Sequence, residues 1–143
     1  GVFVLPQPVE KDIYMICTGT GIAPFRSMVN HISLHNLPHK NLYLIFGTRA
    51  RHDLVYAEEM KALAVRLPGF YFLPTLSRET WEGCCGYVHA VYEKLIREQL
   101  ENCGALPEAQ FYLCGWKAMV DEAKMRILAL GYDKKQVHLE LYG

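Results

Sequence analysis

The sequence predicts an α/β fold, a doubly wound five-stranded parallel sheet with helices on both faces. Three observations point to it. Short apolar runs alternate with amphipathic stretches of helix length, which is the pattern of strands joined by helical crossovers. The run Asn41 to Gly47 is apolar at nearly every position, as a strand buried on both faces must be. Glycine and polar residues collect where the runs end, the edge at which such sheets bind ligands.

Taken in order, Ile13 to Cys17 is the first strand, and Ala23 to His35 places Phe25, Met28, Val29, Ile32 and Leu34 near helical spacing. Asn36 to Lys40 breaks that helix, and Leu42 to Phe46 begins the second strand. Asp53 is expected to cap a second helix carrying Leu54, Ala57, Met60, Leu63, Ala64 and Leu67, which Pro68-Gly69 stops. Phe70 to Leu76 reads as the third strand and Val88 to Leu100 as the third helix. Ala109 to Cys114 is the fourth strand, Lys117 to Leu130 a helix ended by Gly131, and Val137 to Leu141 the fifth strand. Right-handed crossovers then bring Thr18 to Gly21, Gly47 to Arg49, Ser77-Arg78, Cys114-Gly115 and Glu140 to Tyr142 to one edge.

The stretch Thr18-Gly19-Thr20-Gly21-Ile22-Ala23-Pro24-Phe25-Arg26 has the make-up of a phosphate cradle. Gly19 and Gly21 permit a sharp turn and close approach of backbone N–H groups to an anion. Pro24 suits a first helical turn, whose free N–H groups and positive dipole end point back at the glycines. A diphosphate fits there. No Lys-Ser or Lys-Thr follows, so this is not a P-loop, and Pro24 stands where the usual dinucleotide fingerprint has its third glycine.

At 143 residues the chain fits one domain with a substantial core. Fifteen basic and fifteen acidic residues balance, which argues against a nucleic-acid-binding or membrane-binding surface. No apolar stretch approaches the roughly 20 residues of a membrane span. Five cysteines, an odd number without metal-type spacing, suit a reduced, cytoplasmic protein, and no metal site is expected. Most of the six histidines are read as surface or capping residues, and no i, i+4 pair of the kind a helical metal site uses is expected among them.

The ordered strand ends resemble the NAD(P)-binding domain of the ferredoxin-NADP reductase family of flavin oxidoreductases. Gly19-Thr20-Gly21-Ile22-Ala23-Pro24-Phe25 carries most of the resemblance, supported by Gly47 with Asp53-Leu54-Tyr56, Leu76-Ser77-Arg78, Gly86-Tyr87-Val88, Tyr112-Leu113-Cys114-Gly115 and Glu140-Leu141-Tyr142. It implies that residues 1–8 end a preceding flavin-binding barrel and its linker, and that residues 9–143 form the NAD(P)-binding domain. This chain alone is then expected to be inactive, with FAD bound mainly by the missing barrel.

The resemblance also implies roles. Gly19, Thr20, Gly21 and Pro24 would hold the diphosphate, with Gly47, Thr48 and Gly115 beneath the nucleotide. Ser77 and Arg78 would meet a 2′-phosphate and favour NADP, while Tyr87 would stack on adenine. Strongly NADP-selective members carry a lysine where this chain has Cys85, so NAD stays open, with Arg49 or Arg51 as compensating cations. Cys114 would lie beside the nicotinamide, and Glu140 and Tyr142 near the flavin, as catalytic residues. The expected activity is hydride transfer between nicotinamide and FAD, passing electrons to or from an iron-sulfur or haem protein. The alternative is a nucleotide-binding regulatory or interaction module without hydride transfer.

Overall fold

The computed structural model describes residues 5, 9–78 and 84–141. The five expected strands are present as β1 (Asp12–Thr18), β2 (Leu42–Thr48), β3 (Phe70–Leu76), β5 (Ala109–Gly115) and β6 (Val137–Leu141). A two-residue strand, β4 (Cys84–Cys85), adds to the outer edge of β3 and is too short to leave a periodic signal. All pairings are parallel, in the order β4-β3-β2-β1-β5-β6. The sheet grows outward from β1 in both directions, so the chain segments leaving β1 and β5 diverge at a switch point.

Strand alternation divides the core in two. Met15, Cys17, Leu44 and Phe46 face Phe25 and Val29 of α1 (Ile22–Leu34) and Met60 and Leu63 of α2 (Ala57–Arg66). Tyr14, Ile16, Ile45, Phe111 and Leu113 face Tyr92 and Ile96 of α3 (Val88–Cys103) and Val120 and Ile127 of α4 (Lys117–Leu130). Helices on both faces follow from this parity. Gly131 ends α4 in the left-handed region at φ 117°, as the sequence predicts. Gly104 ends α3 in the same way, one turn beyond the expected end.

The expected Asp53 cap is corrected. Arg51–Asp53 forms a separate 3-10 turn, and α2 begins at Ala57 after Tyr56, whose φ of 60° is left-handed. The Tyr56 ring lies under the Arg26 guanidinium at 4.6 Å. Arg26 also donates to both Glu59 oxygens, at 2.7 and 2.9 Å, joining α1 to α2. These are half-exposed groups, so the pair orients the helices more than it stabilises them.

The opposite face is tied by polar groups that are buried on α3 and half-exposed on α4. Arg126 Nη1 donates to Glu93 Oε1 at 2.7 Å, and Glu93 is 9% exposed. His89 Nδ1 lies 2.8 Å from the Tyr92 hydroxyl, and its Nε2 lies 3.5 Å from Glu122 Oε2. Desolvation lowers the His89 pKa, and the raising effect of Glu122 and Glu93 does not overcome it.

Two predictions follow from these contacts. Gly21→Ala forces a Cβ into the Cys114 carbonyl, and the overpacking should cost about 1 to 3 kcal/mol, read as a lower urea midpoint. The second concerns pH. Because His89, and His138 likewise through burial, bind protons less readily folded than unfolded, stability is held above about pH 6.5 and falls as the pH drops below it. Urea midpoints at pH 7.5 and 5.5 should show that fall, and His89→Gln should flatten it.

Candidate functional site

The site is assembled where β1 ends. From Thr18 the chain passes through the 3-10 turn Gly19–Gly21 into α1, and among the described residues no side chain caps either N-terminus. The two glycines serve different needs. Gly19 has φ +55°, and a Cβ there would meet the Trp116 indole, with Nε1 at 3.3 Å. Gly21 has an ordinary helical backbone and is needed for space, because its missing Cβ is where the Cys114 carbonyl lies. Pro24 is the third residue of α1, within the turn whose N–H groups lack helical acceptors.

The neighbouring strand ends are stitched to this turn and to each other. Gly115 has φ +147° and leaves room for the Thr18 hydroxyl, which accepts a hydrogen bond from the Trp116 N–H at 3.1 Å. Gly47 leaves room for Val88 at the start of α3. The Ser77 N–H donates to the Thr48 carbonyl and the Arg78 N–H to the Arg49 carbonyl, both at 3.0 Å, so Arg49 and Arg78 leave adjacent strands side by side. Both arginines are exposed. The Arg49 guanidinium lies over the Trp116 ring at 5.6 Å. Thr48 is buried, and its hydroxyl donates to the Ala50 carbonyl. Tyr87 precedes α3 and is 71% exposed, open to a stacking partner.

Two clefts open on this edge and share Thr48 and Trp116. The first, about 210 Å³, runs from Thr18, Gly47 and Thr48 past Ser77 and Tyr87 to the opening turns of α3 and α4. The second is lined by Gly19, Thr20, Thr48, Arg49, Asp53, Val55 and Trp116. Together they bring Gly19, Thr20, Gly47, Thr48, Arg49, Ser77 and Tyr87 of the expected set to one continuous edge, with Arg78 and Gly115 joined to it by the stitching.

Other expected residues are placed differently. Cys114 is fully buried in the core beneath α1, level with Cys17 on β1, so its thiol lies under the edge and not on it. Burial pushes the Cys17 thiol pKa upward. Glu140 pairs with Cys114 from β6 but lines neither cleft. Tyr142 lies outside the described residues, as do the side chains of Cys84 and Cys85. Sequence reasoning missed Trp116, His89, Met119 and Glu122, all of which line the first cleft. Trp116 carried a signal, since it directly follows the Cys-Gly pair that ends β5.

The reading of the histidines also needs amending. His31 and His35 are four residues apart at the end of α1, with ring centroids 4.5 Å apart. Two imidazoles are fewer than the three protein ligands of an open zinc site, and among the described residues no group of three or more His, Cys, Asp or Glu could hold a metal. No described helix is long and apolar enough to cross a membrane.

Comparison with known proteins gives the architecture a family. Residues 15–125 match the oxidoreductase NAD-binding domain. Ferredoxin-NADP reductase B of Sorangium cellulosum is 37% identical over 99% of this chain and 59% of its own length. NADH-cytochrome b5 reductase 1 of Eremothecium gossypii is 31% identical over 94% of this chain and 47% of its own. A crystal structure of a ferredoxin NADP+ reductase from Neisseria gonorrhoeae, with bound FAD and NADP, superposes with a TM-score of 0.79 at 26% identity, covering 99% of this chain and 61% of that one. The chain therefore spans about half to three-fifths of these relatives. With its family match, its parallel sheet and its glycine-turn edge in agreement, this chain belongs to the oxidoreductase NAD-binding domain family, as an NAD(P)-binding domain of the ferredoxin-NADP reductase type.

Proposed function

We propose that this chain holds NADP(H) across the carboxyl edge of its sheet and positions the nicotinamide for hydride transfer to or from FAD. The observation that carries the reading is the continuity, through Thr48, between the uncapped Gly19–Gly21 turn and the Ser77-Arg78 strand end. An anion at the first and a phosphate at the second are the two fixed points a phosphorylated dinucleotide needs.

The residues present fit such a ligand. Gly19, Thr20 and Gly21 would hold the diphosphate through backbone N–H groups at the positive end of α1, with Pro24 fixing that turn. Ser77 and Arg78 would take the 2′-phosphate, and Arg49 at its side supplies a second guanidinium where Cys85 supplies no charge. Tyr87 offers its exposed ring to adenine, while Gly47 and Gly115 keep the sheet edge low beneath the nucleotide. Cys114 would act from below, its carbonyl fixing Gly21 and its side chain filling the core under the nicotinamide end. Glu140 on the last strand, and Tyr142 beyond the described residues, would act near the flavin.

Nicotinamide and flavin supply the two-electron hydride chemistry when bound, and the chain supplies position and a dry edge. FAD would belong to a flavin-binding domain of the same protein, and residues 1–8, which apart from Leu5 lie outside the described residues, would belong to its end and linker. An iron-sulfur or haem protein would exchange electrons with the flavin. The similarity to the gonococcal reductase, which holds FAD and NADP, supports this reading. Cys17 and Cys103, which form no disulfide, suit a reduced cytoplasmic setting.

One observation favours a second reading, a nucleotide-binding regulatory or interaction module without hydride transfer. The Cys114 thiol is fully buried and does not reach the edge.

Calorimetric titration with NADP+ and NAD+ tests the first reading. NADP+ should bind at least about tenfold tighter, as a charged hydrogen bond of about 1.5 to 3 kcal/mol requires, and Arg78→Ala should remove most of the difference. Equal affinity for the two would make Arg78 a bystander. Hydride transfer from NADPH in the protein joined to its flavin domain separates the readings. Cys114→Ala should slow it there while leaving NADP+ affinity within about threefold, and an absent transfer in the wild type supports the module.

A further inference from the structure

The first cleft ends on two ionisable side chains that the proposed hydride transfer does not use. His89 has a side chain 9% exposed and lies against Tyr92 on one side and Glu122 on the other. Glu122 is held from the α4 side, where Arg126 Nε donates to its Oε2 at 2.7 Å, and Arg126 is itself anchored on Glu93. Both contacts to the Glu122 carboxylate, from His89 and from Arg126, fall on Oε2. A carboxylate has about four acceptor positions over its two oxygens, so Oε1 can accept from a donor that enters the cleft. The approach to this group is apolar, through Val88, Met119 and the Trp116 indole.

An apolar slot that ends on an acceptor held at fixed geometry suits a flat aromatic base with an amino group on its edge. Resting on the reading that the Ser77 end of the site takes the adenosine half of the nucleotide, we infer that Glu122, positioned by His89 and Arg126, accepts a hydrogen bond from the 6-amino group of adenine. Glu122 is then a specificity-determining residue for the base, distinct from the Ser77-Arg78 pair that would read the ribose phosphate. His89 and Arg126 hold the carboxylate in place. Glu93 and Tyr92 anchor them in turn, which accounts for a polar network, buried at His89, Tyr92 and Glu93 and half-exposed at Glu122 and Arg126, beside an otherwise apolar slot.

The test compares AMP with purine riboside 5′-monophosphate, which lacks only the amino group, by calorimetric titration of the chain, with NADP+ titrated alongside. The wild type should bind AMP about tenfold tighter, the range of a charge-assisted hydrogen bond. In Glu122→Leu the two should bind alike, with affinity for the purine compound unchanged. Equal binding of the two by the wild type overturns the inference even if the variant is too unstable to purify, and so does a preference for AMP that survives in Glu122→Leu. Nicotinamide mononucleotide is the control for the other end of the cofactor. If it binds tighter than AMP and loses that advantage in the variant, the slot belongs to the nicotinamide and the inference fails. NADP+ that binds without discrimination for the amino group removes this inference alone, whereas a wild type that binds neither NADP+ nor AMP removes the proposed function with it.

Discussion

The close approach of β1's exit turn to the end of β5 is the constraint on which the site depends. Gly21 leaves space for the Cys114 carbonyl, and Gly115 leaves space for the Thr18 hydroxyl, so each strand end fills the side-chain space that a glycine of the other leaves empty. The hydrogen bond from the Trp116 N–H to Thr18 closes the contact. Because β1 and β5 flank the switch point, this double approach sets how far the two halves of the sheet splay at their carboxyl ends. The uncapped start of α1, the indole over Gly19 and the floor of both clefts are all placed by it.

Most of the fold was legible because burial on both faces leaves a continuous apolar run, and β2 is buried at every one of its seven positions. What escaped was decided by contacts distant in sequence. Asp53 has the right chemistry for a cap, but the chain inserts a 3-10 turn and a left-handed Tyr56, held under Arg26 of a different helix, before α2 can start. β4 exists only because Thr75 and Leu76 of β3 offer it an edge.

The candidate site divides in the same way. Residues at strand ends were legible, since a parallel sheet fixes which end of each strand shares an edge. The helix-borne residues His89, Met119 and Glu122 were not, because the crossover packing of α3 and α4 decides which of their faces borders the cleft. Cys114 is the instructive case. Its parity on β5 matches Tyr112 and opposes Phe111 and Leu113, so strand alternation alone sends its side chain to the α1 face. Resemblance suggested a place on the edge, and parity placed the thiol in the core beneath α1.

At the opposite, amino end of the sheet four aromatic rings stand in register across the strands. Tyr71, Tyr43, Tyr14 and Phe111 stack in sequence at 5.2, 4.7 and 5.1 Å, and Tyr132 closes the row edge-on at 4.8 Å. Gln99 bonds the Tyr14 and Tyr43 hydroxyls from α3, and burial raises the pKa of both and pushes that of Tyr132 up to about 12. Stacked transitions couple optically, so tyrosine circular dichroism in the near ultraviolet monitors the sheet's closed end, while Trp116 emission, with Trp81 replaced by phenylalanine, monitors its open one. The molecule thus carries separate optical channels for scaffold integrity and edge occupancy, set apart by the length of its strands.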